Sequence, residues 1–354
     1  MAAIDRYFEI MMEKGGSDLH LMEGEPPKIR AQGEVAPIAD EILTHESLGN
    51  MMKEICEENR FKKYLQTGDM DFAYALGDKA RFRANYYMQD DGFGCIFRII
   101  PSKILSLADL KSPEVLKNFA DYRSGIILVT GPTGSGKSTT LAAIIDYINT
   151  NYARHILTIE EPIEFVHPIK KSVIIQREVG IDAHSFNDAL KTSTRQDLDI
   201  VLVGEMRDPE TIALALKAAE MGSLVFGTLH TNSAVKTIDR IVDSFPAEEQ
   251  ENVLMVLGNA LRGICSQLLL KTADGKGRCA VQEIMIESQG LANMIRERKL
   301  SLIESLIQQG KKVGMQLMDD ALWEKVQDQT VKGEDAYLKA KDKKRFGKWA
   351  PKDA

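Results

Sequence analysis

The apolar positions of the first hundred residues change period several times. Ile4, Tyr7, Phe8, Met11 and Met12 recur at helical spacing, and Gly15-Gly16 ends that run. Alternating segments follow at Asp18–Met22, 28–32 and 35–38. Thr44 is placed to cap a helix that begins near Glu46 and ends before Gly68. Three strand patterns come next, at 70–76, 81–88 and 94–100, with Gly77-Asp78 turning the first pair. These elements predict an α+β domain over residues 1–100.

Residues 101–124, punctuated by Pro101, Ser102, Ser112 and Pro113, read as an interdomain linker. Beyond it the rhythm changes. Continuous apolar runs at 126–130, 156–159, Ile200–Val203 and 224–228 have the character of buried parallel strands. Amphipathic stretches at 137–149, 186–194 and Pro209–Glu220 separate them, as in a doubly wound α/β domain. After Ile238 the chain reads as mostly helical, with one strand pattern at 279–286. The second domain is thus expected over 125–338. A basic tail over 339–354, with Phe346 and Trp349 among its lysines, reads either as a solvated, frayed end or as a docking segment for an acidic partner or membrane surface.

Composition narrows the class. Of the 354 residues, 44% are apolar and 27% charged, the balance of an ordinary globular protein. The net charge of −7 offers no global basic field, so no nucleic-acid partner is expected. Cys56, Cys95, Cys265 and Cys279 form no close pair; structural zinc is not expected, and reduced thiols in the cytoplasm are. The apolar runs are too short to cross a bilayer, and the N-terminus lacks a signal-peptide core.

One segment carries explicit chemistry. Gly131-Pro132-Thr133-Gly134-Ser135-Gly136-Lys137-Ser138-Thr139 fits the phosphate-binding pattern G-x-x-x-x-G-K-[ST] between an apolar strand and a helix. Glycines let the loop turn backbone N–H groups inward, and the following helix adds the positive end of its dipole. Lys137 is expected to reach the β- and γ-phosphates of ATP, and Ser138 to hold Mg²⁺.

Hydrolysis needs a carboxylate that positions water. Glu205, after Ile200–Val203 and Gly204, is the candidate, on a strand expected beside the phosphate-loop strand. Glu160 and Glu161 end another strand and are placed to bind Mg²⁺ through water, with one of the two facing the site. His230 ends a fourth strand as a γ-phosphate sensor or a structural histidine. Arg81, Arg83 and Arg98 are candidates for charge stabilisation, or for surface ion pairs.

Together these motifs resemble the secretion ATPases of type II secretion and type IV pili, most closely the pilus-retraction branch. The likeness spans residues 16–318. It rests on the P-loop, on Leu157-Thr-Ile-Glu-Glu-Pro-Ile-Glu-Phe165, on Asp199-Ile-Val-Leu-Val-Gly-Glu-Met-Arg-Asp208, and on Gly227-Thr-Leu-His-Thr231 with the segment 236–241. Arg81, Arg83 and Arg98 match arginines that approach nucleotide from the family's N-terminal domain, and the segments 260–263 and 282–286 match its C-terminal region.

The resemblance implies a RecA-like core preceded by a PAS-like domain and assembled as a homohexamer. It implies Glu205 as the catalytic carboxylate, and Glu161 and Ser138 near Mg²⁺. The activity implied is an ATP-driven motor for pilus retraction, working at the cytoplasmic face of the inner membrane. Its partners would be the platform protein of the pilus machine and a paralogous pilus ATPase. Three positions depart from the family pattern: Glu161 replaces its usual aspartate, Ser223 its usual histidine, and the segment 291–295 diverges. An accessory or non-hydrolysing regulatory paralogue is therefore the alternative reading, ahead of an extension or secretion ATPase.

Overall fold

A computed structural model describes residues 2–31, 33–77, 79–90, 92–100, 103–193 and 195–351. Gln32, Asp78, Pro101, Ser102, Thr194 and Lys352, each part of an expected element above, lie outside the described residues. The chain divides into two compact units, Met1–Lys103 with Glu161–Val166, and Ile104–Glu160 with His167–Ala354.

The first unit holds helix α1 (Asp5–Glu13), strands β1 (Asp18–Met22), β2 (Lys28–Ala31) and β3 (Glu34–Pro37), helices α2 (His45–Glu54) and α3 (Glu58–Thr67), and strands β4 (Asp69–Leu76), β5 (Ala80–Gln89) and β6 (Gly92–Ile100). The strands form an antiparallel sheet in the order β3-β2-β1-β6-β5-β4. The apolar stripe of α1 supplies Tyr7, Phe8 and Met11 to a core with Phe82, Tyr86 and Phe97. Phe8 stacks on Phe82 at 4.1 Å between ring centroids; aromatic pairs of this kind add about 0.5–1.5 kcal/mol beyond burial. Thr44 caps α2 through a reciprocal box with Ser47. The single helix expected over 46–67 is two helices, broken at 55–57 so that Met51, Met52, Phe61 and Tyr64 can all reach the core.

The second unit holds α4 (Val115–Asn118), β7 (Gly125–Thr130), α5 (Lys137–Asn151), β8 (His155–Glu160), β9 (Val173–Glu178), α6 (Phe186–Ser193), β10 (Ile200–Val203), α7 (Pro209–Glu220), β11 (Leu224–Leu229), α8 (Ala234–Asp243) and α9 (Ala247–Ala260). Strands β12 (Leu261–Lys271) and β13 (Arg278–Ile286) follow, then α10 (Gln289–Arg296), α11 (Ile303–Gln309), α12 (Met318–Gln327) and α13 (Gly333–Lys339). Its sheet runs β13-β12-β7-β11-β10-β8-β9, parallel throughout except for the β12–β13 pair. Every residue of β7, β10 and β11 is buried, as strands covered on both faces require.

Three expectations are corrected here. The segment read as a linker belongs to the second unit from Ile104 onward: Leu107, Val115, Leu116, Phe119 and Ala120 pack against β7 and α5. Gly263 is part of that contact, because a Cβ there would meet the Phe119 ring at 2.7 Å. After Ile238 the helices and the strand near 279–286 are present, but a second strand, β12, was not expected; it lies between β7 and β13. The basic tail is ordered through Ala350: Phe346 is fully buried against Leu322 and Trp323, and Arg345 pairs with Asp320 at 2.6 Å. An apolar cluster under a charged surface holds the segment down, which net charge alone did not convey.

Candidate nucleotide site

Parallel pairing brings the carboxyl ends of β7, β11, β10 and β8 to one edge of the sheet. In that order they carry the phosphate loop, His230, Glu205 and Glu160. Ligands of open α/β sheets bind at this edge.

Position by position, the loop has the features that a phosphate cradle requires. Gly131, Gly134 and Gly136 have φ of 147°, 77° and 86°, a region open to glycine. Gly136 opens the fifteen-residue helix α5 with no side-chain cap. The first-turn N–H groups of α5, which no carbonyl of the helix can accept, therefore face the loop with the positive end of the dipole. Lys137 Nζ donates to the carbonyls of Gly131 at 2.9 Å and Pro132 at 3.2 Å, bringing its charge back over the loop. The Ser135 hydroxyl is buried without a hydrogen-bond partner. These features fit a bound polyphosphate. Pro132, Thr133, Gly134 and Ser138 are exposed, and Thr139 is half-buried.

Glu205 follows β10 as expected, but β10 is not beside β7: β11 lies between them and pairs with both. Two strand spacings thus leave about 10 Å between the axes of β7 and β10. The Glu205 carboxylate accepts from His230 Nε2 at 2.8 Å and from Arg207 Nη2 at 2.6 Å. A carboxylate only accepts, so Nε2 carries the imidazole proton. The Arg207 hydrogen bond, joined by that from His230, outweighs burial and holds the Glu205 carboxyl below its ordinary value of 4.5. Asp208 then caps α7 by accepting from Thr211 N, and Pro209 takes the first helical position.

The other candidates separate. Glu160 Oε1 accepts from Thr158 Oγ1 at 2.7 Å and Gln176 Nε2 at 3.4 Å. Glu161 begins the segment that groups with the first unit, whereas Ser138 belongs to the second. Among the described residues no cluster of three or more His, Cys, Asp or Glu stands ready for a metal. The residue of the loop that could hold a divalent ion beside phosphate oxygens is Ser138. Arg81, Arg83 and Arg98 share one face of the first sheet, Arg83 directly opposite Arg98. Arg98 pairs with Asp18 at 2.7 Å, Arg83 with Asp71 at 3.5 Å, and Arg81 donates to the Ile163 carbonyl. Ser223 stands at the amino edge of β11, the far end from the loop, where it donates to the Leu198 carbonyl at 3.1 Å.

Sequence reading missed the wall behind the loop. Gln267 on β12 contacts Ser135 and Thr140, and Ser266 bonds Thr130 at 2.8 Å. The available signal was polar Ser266-Gln267 inside an otherwise apolar run ending in Leu268-Leu269-Leu270.

Comparison with known proteins gives the family of the chain. The profile of the family described as Type II/IV secretion system protein matches residues 96–344. The type IV pilus retraction ATPase PilT of Pseudomonas aeruginosa is 48% identical over 334 residues, covering 94% of this chain and 97% of that protein. A twitching motility protein of Neisseria gonorrhoeae is 49% identical over 316 residues, covering 89% and 84%. A crystal structure of the pilus retraction motor PilT with bound ADP superposes with a TM-score of 0.89 at 40% identity, covering 98% of this chain and 99% of that one. The chain therefore belongs to the Type II/IV secretion system protein family.

Proposed function

We propose that this chain is the ATP-hydrolysing motor of type IV pilus retraction, assembled as a ring of six copies. The observation that carries the reading is an intact phosphate loop and an ionised, doubly hydrogen-bonded Glu205 on one sheet edge, in a chain that shares nearly half its residues with a retraction ATPase over 94% of its length.

In this reading Lys137 and the α5 N-terminus bind the β- and γ-phosphates of the substrate ATP. Ser138 would hold Mg²⁺, which would supply neutralisation of the charge on the transferring group. Glu205 orients and polarises the attacking water. A carboxylate held below its ordinary pKa is a weak base, so its contribution is placement more than ground-state proton removal. His230 fixes one carboxylate oxygen and leaves the other to Arg207. Pilus subunits, the membrane platform and a paralogous ATPase are the proposed partners, on the cytoplasmic face of the membrane. Among the described residues no helix is long and apolar enough to cross a bilayer.

The test pairs turnover with motion. The purified protein should hydrolyse ATP only with Mg²⁺ and sediment as a hexamer, and Lys137→Ala should abolish nucleotide binding. Expression in a strain lacking its own retraction ATPase should restore twitching. Turnover without restored twitching would sink the retraction reading in favour of an accessory paralogue. Absence of nucleotide binding would sink both.

A further inference from the structure

Behind the phosphate loop lies a buried polar wall on a strand more than a hundred residues away in sequence. Gln267, 2% exposed, reaches the phosphate loop, α5 and β13 with one amide. Its Nε2 donates to the Ser135 carbonyl at 2.5 Å, inside the loop. Its Oε1 accepts from Thr140 Oγ1 at 2.8 Å, on the first turn of α5, and from Gln282 Nε2 at 2.8 Å on β13. The orientation of the amide is dictated by its partners, because a backbone carbonyl can only accept.

The same residue bounds the space that the loop occupies. A Cβ on Gly131 would lie 2.3 Å from the Gln267 carbonyl oxygen, and one on Gly136 would lie 2.9 Å from its Nε2. Two glycines of the motif are thus moulded against this one side chain and its backbone.

The peptide linking Ser135 to Gly136 is trans. In a planar trans peptide the C=O and the following N–H point in opposite directions. Holding the Ser135 carbonyl against Gln267 therefore turns the Gly136 N–H away from the wall, toward the side of the loop open to phosphate. We infer that Gln267 is a positioning residue for nucleotide binding: it clamps the loop to the first turn of α5 and aims the Gly136 N–H at the phosphate. The inference rests on the nucleotide reading above and assigns the loop's shape to a residue outside the motif.

Preorganised donors bind charge better than donors that must first be ordered. Removing the clamp while keeping side-chain volume should therefore weaken nucleotide binding in a protein that still folds. ADP affinity of the full chain, measured by calorimetry without turnover, reads this directly. Gln267→Met should raise the Kd for ADP about tenfold or more. Asn149→Ala removes an equally buried amide lower on α5, bonded to Pro168 and Ser172; it should lower thermal stability and leave the Kd unchanged. Thr140→Val should weaken ADP binding, and Thr140→Ser, which keeps the hydroxyl, should restore it.

An unchanged Kd in Gln267→Met overturns the proposal, as does an equal rise in Asn149→Ala, which would mark a general loss of stability. Where Gln267→Met fails to fold, the threonine pair decides: equal affinities for Val and Ser at 140 overturn it. If the unaltered chain binds no ADP, the nucleotide reading itself fails and the inference goes with it.

Discussion

Glu205 and Glu283 belong to the same sheet and meet opposite fates. Glu205 stands at the carboxyl edge beyond β10, half-buried, beside the Arg207 guanidinium and the His230 imidazole. Glu283 lies within β13, 7% exposed, with Oε1 accepting from Ala234 N at 2.7 Å and Oε2 from Met318 N at 3.3 Å. Those are the first-turn N–H groups of α8 and α12, so one side chain ties two helix starts to the sheet. Hydrogen bonds from Arg207 and His230 hold the Glu205 carboxyl below its ordinary value, whereas burial pushes that of Glu283 up despite its two backbone donors. The carboxylate proposed for chemistry is held charged by its partners at an accessible edge. One that serves architecture is used for its acceptor geometry, and its charge is a burden.

The sharpest way to break this contrast is to neutralise each group in turn. Glu205→Gln should lower kcat by about 10²- to 10⁴-fold and leave the fold intact. Comparable turnover would remove Glu205 from the chemistry. Glu283→Ala leaves two buried N–H groups without an acceptor and should lower unfolding free energy by about 2–4 kcal/mol, read from urea midpoints, with little effect on turnover in the folded protein.

The electrostatic half of the contrast is read from pH. If Glu205 acts as proposed it does so ionised, so losing either hydrogen-bond donor should move the acid limb of kcat/KM to higher pH. Arg207→Ala should move it further than His230→Ala, because the Arg207 bond is the larger cause of the depression. The reverse order would refute that ranking. For Glu283 the sign is opposite. A raised folded value contributes stability that is fully present below the ordinary value of 4.5 and is lost as pH rises through the folded value. Glu283→Gln, which cannot ionise, should flatten that decline; identical slopes of stability against pH for the two proteins would contradict it.

What could be read from the chain depended on how local each signal was. β7, β8, β10 and β11 were legible because strands buried on both faces leave unbroken apolar runs. β9 was not, because it is an edge strand with Val173 and Ile175 exposed, and its apolar run is only three residues long. β12 was hidden by Gly263, Ser266 and Gln267, residues whose reasons lie in Phe119, Thr130 and Ser135, all distant in sequence. Gly131–Thr139 and Glu205 were visible because a contiguous motif or a strand-end glycine announces them. The bond of Glu205 to His230 was not, since it depends on β10 and β11 becoming neighbours.

Interposing β11 between β7 and β10 has a consequence for tolerance. The offset between the phosphate loop and Glu205 is gauged by a strand that carries neither. Thr228 Oγ1 bonds the Gly204 carbonyl at 2.5 Å, and a Cβ on Gly227 would lie 2.9 Å from Met206 Cε, so that side chain would have to move to admit it. A slip of one residue in β11 would invert its faces and misalign both neighbours together. The calibration of the site thus lies in six buried residues, Leu224–Leu229, that need never touch the substrate.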